Sequence, residues 1–288
     1  MYKITRVINN NIVCSADEKG HEIILRGLGI GYQKKKGDTV SDDKVEKVYV
    51  MMDPNRSGKL QQLMAEMPLE YLEISTDIIE YARAALHKRL SENIYITLTD
   101  HISFAITRKR EKLEYRNVML SEIKRFYAQE YEIGMYALKM IKDRLSLELC
   151  EDEAGFIALH IVNAELETNM SDMYQITALI RDIFEIVRVH YGRTFDSDSL
   201  DYERFVTHLK YFSQRLFSDS VVQSDDGVLQ DMIKNRYTQD YNCALKIKSF
   251  VQVKYKKRIS EDEVIFLTIH LHRLFLNSGQ DSPQQEDL

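Results

Sequence analysis

The sequence predicts a multidomain fold in which a small all-β head, antiparallel and barrel-like, precedes two homologous all-α helical bundles. Three observations lead there. Short β-branched and aromatic runs punctuated by Asn and Gly fill residues 1–53 of the 288, which is strand-and-turn chemistry. From residue 67 onward apolar residues recur at helical spacing. Of Pro54, Pro68 and Pro283, none interrupts residues 69–282, so nothing there breaks a helix. Finally, EDEAGFIALH at 151–160 returns as EDEVIFLTIH at 261–270, the mark of a duplicated unit.

In the head the runs are 2–8, 11–15, 22–25 and 44–51, separated by NNN, ADEKG, RGLGIG and KKKGD. They predict four antiparallel strands, with KVEKVYV alternating as a half-buried strand does. A head of this size buries little core, which favours self-association. Residues 54–66, PNRSGKLQQLMAE, open as a linker and enter a helix. Beyond them Leu69, Leu72, Ile79, Ala82 and Leu86 share one helix face. More than 200 helical residues exceed one bundle core.

The repeat divides them. DHISFAITR at 100–108 answers THLKYFSQR at 207–215, and Ala-Leu-Lys at 137–139 recurs at 244–246, both at an offset of 107. The EDE strings lie 110 apart, which predicts a three-residue insertion near 254–257. The domains expected are a head at 1–56, a linker at 57–66, bundles at 67–170 and 171–280, and a tail at 281–288.

The net charge of −6 conceals an asymmetry. Residues 1–60 carry 11 Lys+Arg against 8 Asp+Glu, and the remainder 28 against 37. A basic head on an acidic body points to separate partners. No stretch reaches the roughly 18–20 apolar residues of a membrane span, and MYKITRVINNN lacks the apolar core of a secretory signal. Cys14, Cys150 and Cys243 are far apart and outside any CxxC, which argues against disulfides and zinc. A cytoplasmic protein without membrane insertion, cofactor or metal is expected.

Each helical copy carries two His about 60 residues apart: His101 with His160, and His208 with His270. A lone His on an amphipathic run is commonly a structural one. The same pair in both copies favours chemistry, since neither copy's packing dictates the other's. Neutral imidazole is a nucleophile near physiological pH and suits phosphoryl acceptance. Arg108 and Arg215, each seven residues after the first His, stand two turns along the same face and could support the added charge. A hydrolytic metal site competes weakly, because HLH at 270–272 diverges on a helix and no HExxH occurs. His21, His87, His190 and His272 are expected to be surface or structural.

The head offers Asn9, Asn10 and Asn11, then Gly27, Gly29 and Gly31, then Tyr32 beside Lys34, Lys35 and Lys36. Asparagine runs commonly make only turns. With stacking aromatics, amides and cations together, the set fits the reading of unpaired RNA bases and phosphates. The glycines are not a dinucleotide fingerprint, since GLGIG lacks both GxGxxG spacing and a following helix.

The head strings ITRVINNNIV and YQKKKGD, followed by two His-bearing repeats with FIALHIVNAE, resemble the bacterial sugar-operon transcriptional antiterminators, the BglG/SacY/LicT family, over residues 1 to about 280. The resemblance implies a co-antiterminator RNA-binding head, active as a homodimer, that stabilises an mRNA leader hairpin overlapping a terminator. It implies that Arg6, Asn11, Gly27 and Tyr32 fall on RNA-contacting positions, with Asn9, Arg26 and Gly29 adjoining. The bundles would be regulation domains of the phosphoenolpyruvate:sugar phosphotransferase system. His101 and His160 would take the negative signal of a sugar-specific permease (enzyme II), and His208 and His270 phosphate from the phosphocarrier protein HPr. The operon implied is one for sugar use, of β-glucoside type. Leu28 stands where the family often has a basic or polar residue, while Tyr32 replaces Phe and keeps a stacking surface. The alternatives are a DNA-binding activator with the same regulation domains, disfavoured by the absence of a helix-turn-helix pattern, and an enzyme.

Overall fold

The computed structural model describes residues 1–18, 20–50, 58, 60–63, 65, 67–218 and 227–276. The chain divides into two compact units, Met1–Glu167 and Thr168–Leu288.

The head has strands β1 (Tyr2–Lys3), β2 (Arg6–Asn9), β3 (Ile12–Ala16), β4 (Glu22–Arg26), β5 (Thr39–Val40) and β6 (Lys47–Val50). β2-β3-β4-β6 form one antiparallel sheet and β1 pairs antiparallel with β5. This corrects the expectation of four strands. The run at 2–8 splits at Ile4 and Thr5, where Ile4 N donates to Asp38 O and Thr5 N to Cys14 O. One short run thus serves two sheets, and its two-residue partner β5 is too short to show periodicity. Among the described residues the strands do not close into a barrel.

Alternation along the strands sends side chains to two different cores. Val13, Ile23 and Leu25 join Ile4, Ile30 and Val40 inside the head. Ile12, Cys14, Ile24 and Tyr49 face the other way, into one apolar cluster with residues of the first bundle. β3 and β4 are therefore covered on both faces, which is why they read as continuous apolar runs. Tyr49 fixes the junction: its hydroxyl lies 3.0 Å from Thr76 Oγ1 and its ring meets Tyr95 edge-on at 5.4 Å.

The first bundle comprises α1 (Leu69–Leu86), α2 (Ile94–Arg110), α3 (Leu120–Phe126), α4 (Ala128–Leu145) and α5 (Glu151–Leu166). α1 stops where His87 turns left-handed, and α4 where Ser146 does. α5 begins with Glu151, Asp152 and Glu153, whose charge suits the positive end of the helix dipole. The helix is buried along most of its circumference, including His160 and Asn163.

The second unit repeats the pattern as α6 (Met170–Tyr191), α7 (Leu200–Phe217), α8 (Gly227–Arg236), α9 (Thr238–Tyr255) and α10 (Glu261–Leu276). Asn169 and Ser199 cap α6 and α7, their side chains accepting from Asp172 N and Tyr202 N. Helix ends show where the spacing changes. α3, α4 and α5 finish at 126, 145 and 166, and α8, α9 and α10 finish 110 residues later at 236, 255 and 276. The extra residues lie between α7 and α8, not near 254–257. Ala-Leu-Lys at 244–246 is a coincidental match, since Ala137 corresponds structurally to Ile247, both fully buried. The start of the expected linker, Met51 and the tail at 281–288 lie outside the described residues. Leu60 of the linker segment is helical and packed in the apolar cluster.

Candidate functional site

In the first bundle α2 supplies His101 and Arg108, and α5 supplies Glu153 and His160. Both pairs are separated by seven residues, which aligns each on one helix face. The packed faces bring all four together. The His101 and His160 rings are 4.9 Å apart. His101 Nε2 lies 3.0 Å from Glu153 Oε2, and Arg108 Nη2 donates to Glu153 Oε1 at 2.8 Å.

The second bundle repeats the set on α7 and α10. The His208 and His270 rings stack at 4.2 Å, and Arg215 holds Glu263 in a two-pronged contact of 2.8 and 3.2 Å. Glu153 and Glu263 were missed in the sequence. Their signal was there: each is the third residue of an EDE string, seven before its His, the interval that also separates His101 from Arg108.

Burial sets the chemistry. His160 is 8% exposed, and desolvation, aided by His101, pushes its imidazole down to about 3. Desolvation, then His270 and Arg215, pushes His208 down to about 3 as well. Burial and Arg273 lower His270. Burial opposes ionisation of Glu153, but His101 and Arg108 outweigh it and hold the carboxyl below its ordinary range. His160 Nδ1 and His208 Nε2 are buried without a hydrogen-bond partner among the described residues. These are uncharged imidazoles with an unpartnered nitrogen, His208 with Arg215 nearby, a state that suits a phosphoryl acceptor.

In the head, the asparagine turn and the glycine segment form one surface. Asn9 Oδ1 accepts from Asn11 N at 2.9 Å, and Asn11 Oδ1 accepts from Gly29 N at 2.8 Å. Gly27 N and Gly31 N donate to Asn11 O and Asn10 O. A Cβ on Gly27 would stand 2.0 Å from Lys44 O, and Gly29 has φ +68°. Only glycine allows the first approach, and the second conformation favours it strongly. Asn11 thus both braces the loop and keeps its amide NH2 without an acceptor among the described residues. Leu28 and Tyr32 are exposed beside it, at 82% and 60%, with Lys34, Lys35 and Lys36 following.

Arg6 and Arg26 lie elsewhere. Each shares a strand face with residues that pack on the first bundle. Arg6 Nη1 donates to Gln61 Oε1 at 3.0 Å. Arg26 sits between Glu46 and Glu73, at 3.5 and 3.8 Å. Asn9, Asn11, Gly27, Gly29 and Tyr32 therefore cluster, and the two arginines do not join them. Of the remaining His, His21 contacts Asp17, His190 contacts Lys246 and His272 contacts Asp240, while His87 is the left-handed residue that ends α1.

The CAT RNA binding domain model matches residues 2–58, and the PRD domain model matches residues 76–164 and 181–274. The chain belongs to the CAT–PRD antiterminator family. It is 43% identical over 272 residues to "Transcription antiterminator LicT" of Bacillus subtilis (strain 168), covering 94% of this chain and 98% of that protein. To "Beta-glucoside operon antiterminator" of Dickeya chrysanthemi it is 39% identical, covering 94% and 96%. The solved structure described as "Crystal structure of GlcT CAT-PRDI" aligns with a TM-score of 0.51 at 34% identity, covering 57% of this chain and 98% of that one. In this family's terms, the Asn–Gly–Tyr surface lies in the CAT domain and each His–His–Arg–Glu set lies in a PRD domain. Among the described residues no helix is long and apolar enough to cross a membrane.

Proposed function

We propose that the chain is an RNA-binding transcription antiterminator, a cytoplasmic regulator rather than an enzyme, whose activity is set by histidine phosphorylation. Working as a homodimer, the head would stabilise an mRNA leader hairpin and prevent terminator formation upstream of sugar-utilisation genes, of β-glucoside type. The head is taken as residues 1–56 and the regulatory bundles as 67–170 and 171–280. The observation that carries the reading is one loop surface in which Asn11 braces the exposed Gly29 beside the exposed Tyr32 ring over the buried Gly27, joined in the same chain to two copies of a His–His–Arg–Glu centre.

Asn11, Gly27, Gly29 and Tyr32 are assigned to the hairpin, with Asn9 shaping the turn. Arg6 is exposed with one nitrogen on Gln61, whereas Arg26 would have to leave Glu46 and Glu73 to reach RNA. His101 and His160 would accept phosphate from a sugar permease, and His208 and His270 from HPr. Arg108 and Arg215 would receive the added charge. A phosphoryl group brings about two negative charges and three strong acceptors, enough to break an Arg–Glu pair and shift a subunit interface.

The experiment is a gel shift of the full chain with a leader hairpin, with Asn11→Ala as the comparison. Binding is expected, weakened at least about tenfold by the substitution, the scale of a lost base-reading contact. Equal binding by both proteins, or stronger binding to duplex DNA than to the hairpin, would overturn the assignment.

A further inference from the structure

The two bundles differ in chemistry where α8 meets α9, the place occupied in the first copy by the α3–α4 junction. The left-handed helix ends pair His87 with Gly192, so Lys88 corresponds to Arg193. The 110-residue offset pairs Phe126 with Arg236, Glu130 with Asp240, Val162 with His272 and Glu165 with Phe275.

In the first copy the cation at this place is ion-paired. Lys88 Nζ sits 2.6 Å from Glu165 and 3.5 Å from Glu130, and Phe126 is buried. In the second copy Asp240 remains and is buried. Its two oxygens are taken by the Tyr191 hydroxyl and by His272 Nδ1, the latter at 3.1 Å. The other acid has become Phe275, which stacks on Tyr191 at 4.0 Å. Arg236 and His272 replace two apolar residues. A cavity of about 410 Å³ opens there, with Arg193, Arg236 and His272 in its wall.

The change in charge decides what the cavity can hold. One cation facing two carboxylates has become two guanidiniums and one carboxylate that is already hydrogen-bonded twice. Among the described residues neither Arg193 nor Arg236 has a carboxylate at ion-pair distance. Two guanidiniums in one cavity wall suit the oxygens of a phosphate dianion, and Thr238 and Gln239 in the same wall offer hydroxyl and amide groups to a polyol.

We propose that the second bundle carries a pocket for a small phosphorylated metabolite of hexose-phosphate type. Its wall contains none of His208, Arg215, Glu263 and His270, so it is a site apart from the phosphoryl-acceptor pair. In the first copy the corresponding cation, Lys88, is taken by Glu130 and Glu165.

Titration calorimetry on the full chain tests this with glucose 6-phosphate, inorganic phosphate and glucose. Glucose 6-phosphate is expected to bind, phosphate more weakly, and glucose not at all. The double variant Arg236→Phe/Phe275→Glu, which installs the first copy's own residues and so suits the fold, is expected to weaken binding at least about tenfold. Arg193→Gln, on an exposed side chain, is expected to weaken it severalfold, and Arg215→Gln to leave it unchanged. Absence of binding by both phosphate compounds would overturn the proposal. So would a loss that follows Arg215→Gln and spares the other variants, which would put the anion at the His208–His270 pair instead.

Discussion

His101 Nε2 lies 3.0 Å from Glu153 Oε2 while the other oxygen of that carboxylate accepts from Arg108 at 2.8 Å. One buried carboxylate therefore holds the cation and lies beside the proposed phosphoryl acceptor that the cation would support. A phosphoryl group on His101 would set about two negative charges against Glu153, and the two anions would compete for Arg108. Arg215 between Glu263 and the His208–His270 pair faces the same competition. Phosphorylation at these histidines would thereby be coupled to the α2–α5 and α7–α10 contacts by charge.

Arg108→Ala leaves Glu153 buried without its arginine partner. A loss of about 3 kcal/mol from the first unit is expected in urea unfolding, the scale for breaking a buried pair. Adding Glu153→Gln removes the stranded charge and should restore more than half of the loss. If the single variant is as stable as the parent, Glu153 is not held as described.

The chain is expected to lose stability in mild acid. Burial keeps His160 and His208 neutral, each pushed from 6.5 down to about 3. The unfolded chain takes up these protons first, so the stabilisation is complete above about pH 6.5 and is lost as pH falls toward about 3. Each His contributes at most about 1.4 kcal/mol per pH unit, or about 2 kcal/mol by pH 5. Glu153, held ionised, adds to the loss in the same direction. Urea midpoints at neutral and mildly acid pH check this, and His160→Gln with His208→Gln should flatten the difference.

Two glycines of the head are expected to respond differently to Ala. At Gly27 the new Cβ meets Lys44 O at 2.0 Å, and the loop must move. At Gly29 there is open space but φ is +68°, a strain on the order of 1 kcal/mol. Thermal melts should show the larger loss at Gly27, and a reversed order would contradict the loop geometry.

Leu28 is 82% exposed with its backbone N–H on Glu46. Leu28→Arg should leave stability within about 0.5 kcal/mol. If Leu28 borders the RNA, it should also steepen the salt dependence of hairpin binding by about 0.7–0.9 in log–log slope, one phosphate's worth. An unchanged slope would place Leu28 away from the phosphates.

The sequence made the fold legible wherever a pattern repeated. The EDE strings, the two His pairs and the Arg seven residues on located both centres before any contact was known. It was silent where neighbours came from afar. Nothing local marks Tyr49 as the residue that meets Thr76 and Tyr95, or tells β3 that both its faces will be covered. A three-letter match, Ala-Leu-Lys, misplaced the insertion because short identities carry no packing information, whereas helix ends do. Arg6 and Arg26 looked like part of one basic surface, but Arg6 meets Gln61 and Arg26 lies between Glu46 and Glu73. Glu153 and Glu263 sat in plain view in the repeat and gained meaning only when α5 and α10 packed against the helices bearing the arginines.

The most direct test of the central claim is single-round transcription in vitro through the leader terminator of the operon next to this gene. Added full-length chain is expected to raise read-through, Asn11→Ala to abolish the effect, and phosphorylation with phosphoenolpyruvate, enzyme I and HPr to change it only while His208 and His270 are intact. Read-through that is unaltered by the chain in both phosphorylation states would contradict the account.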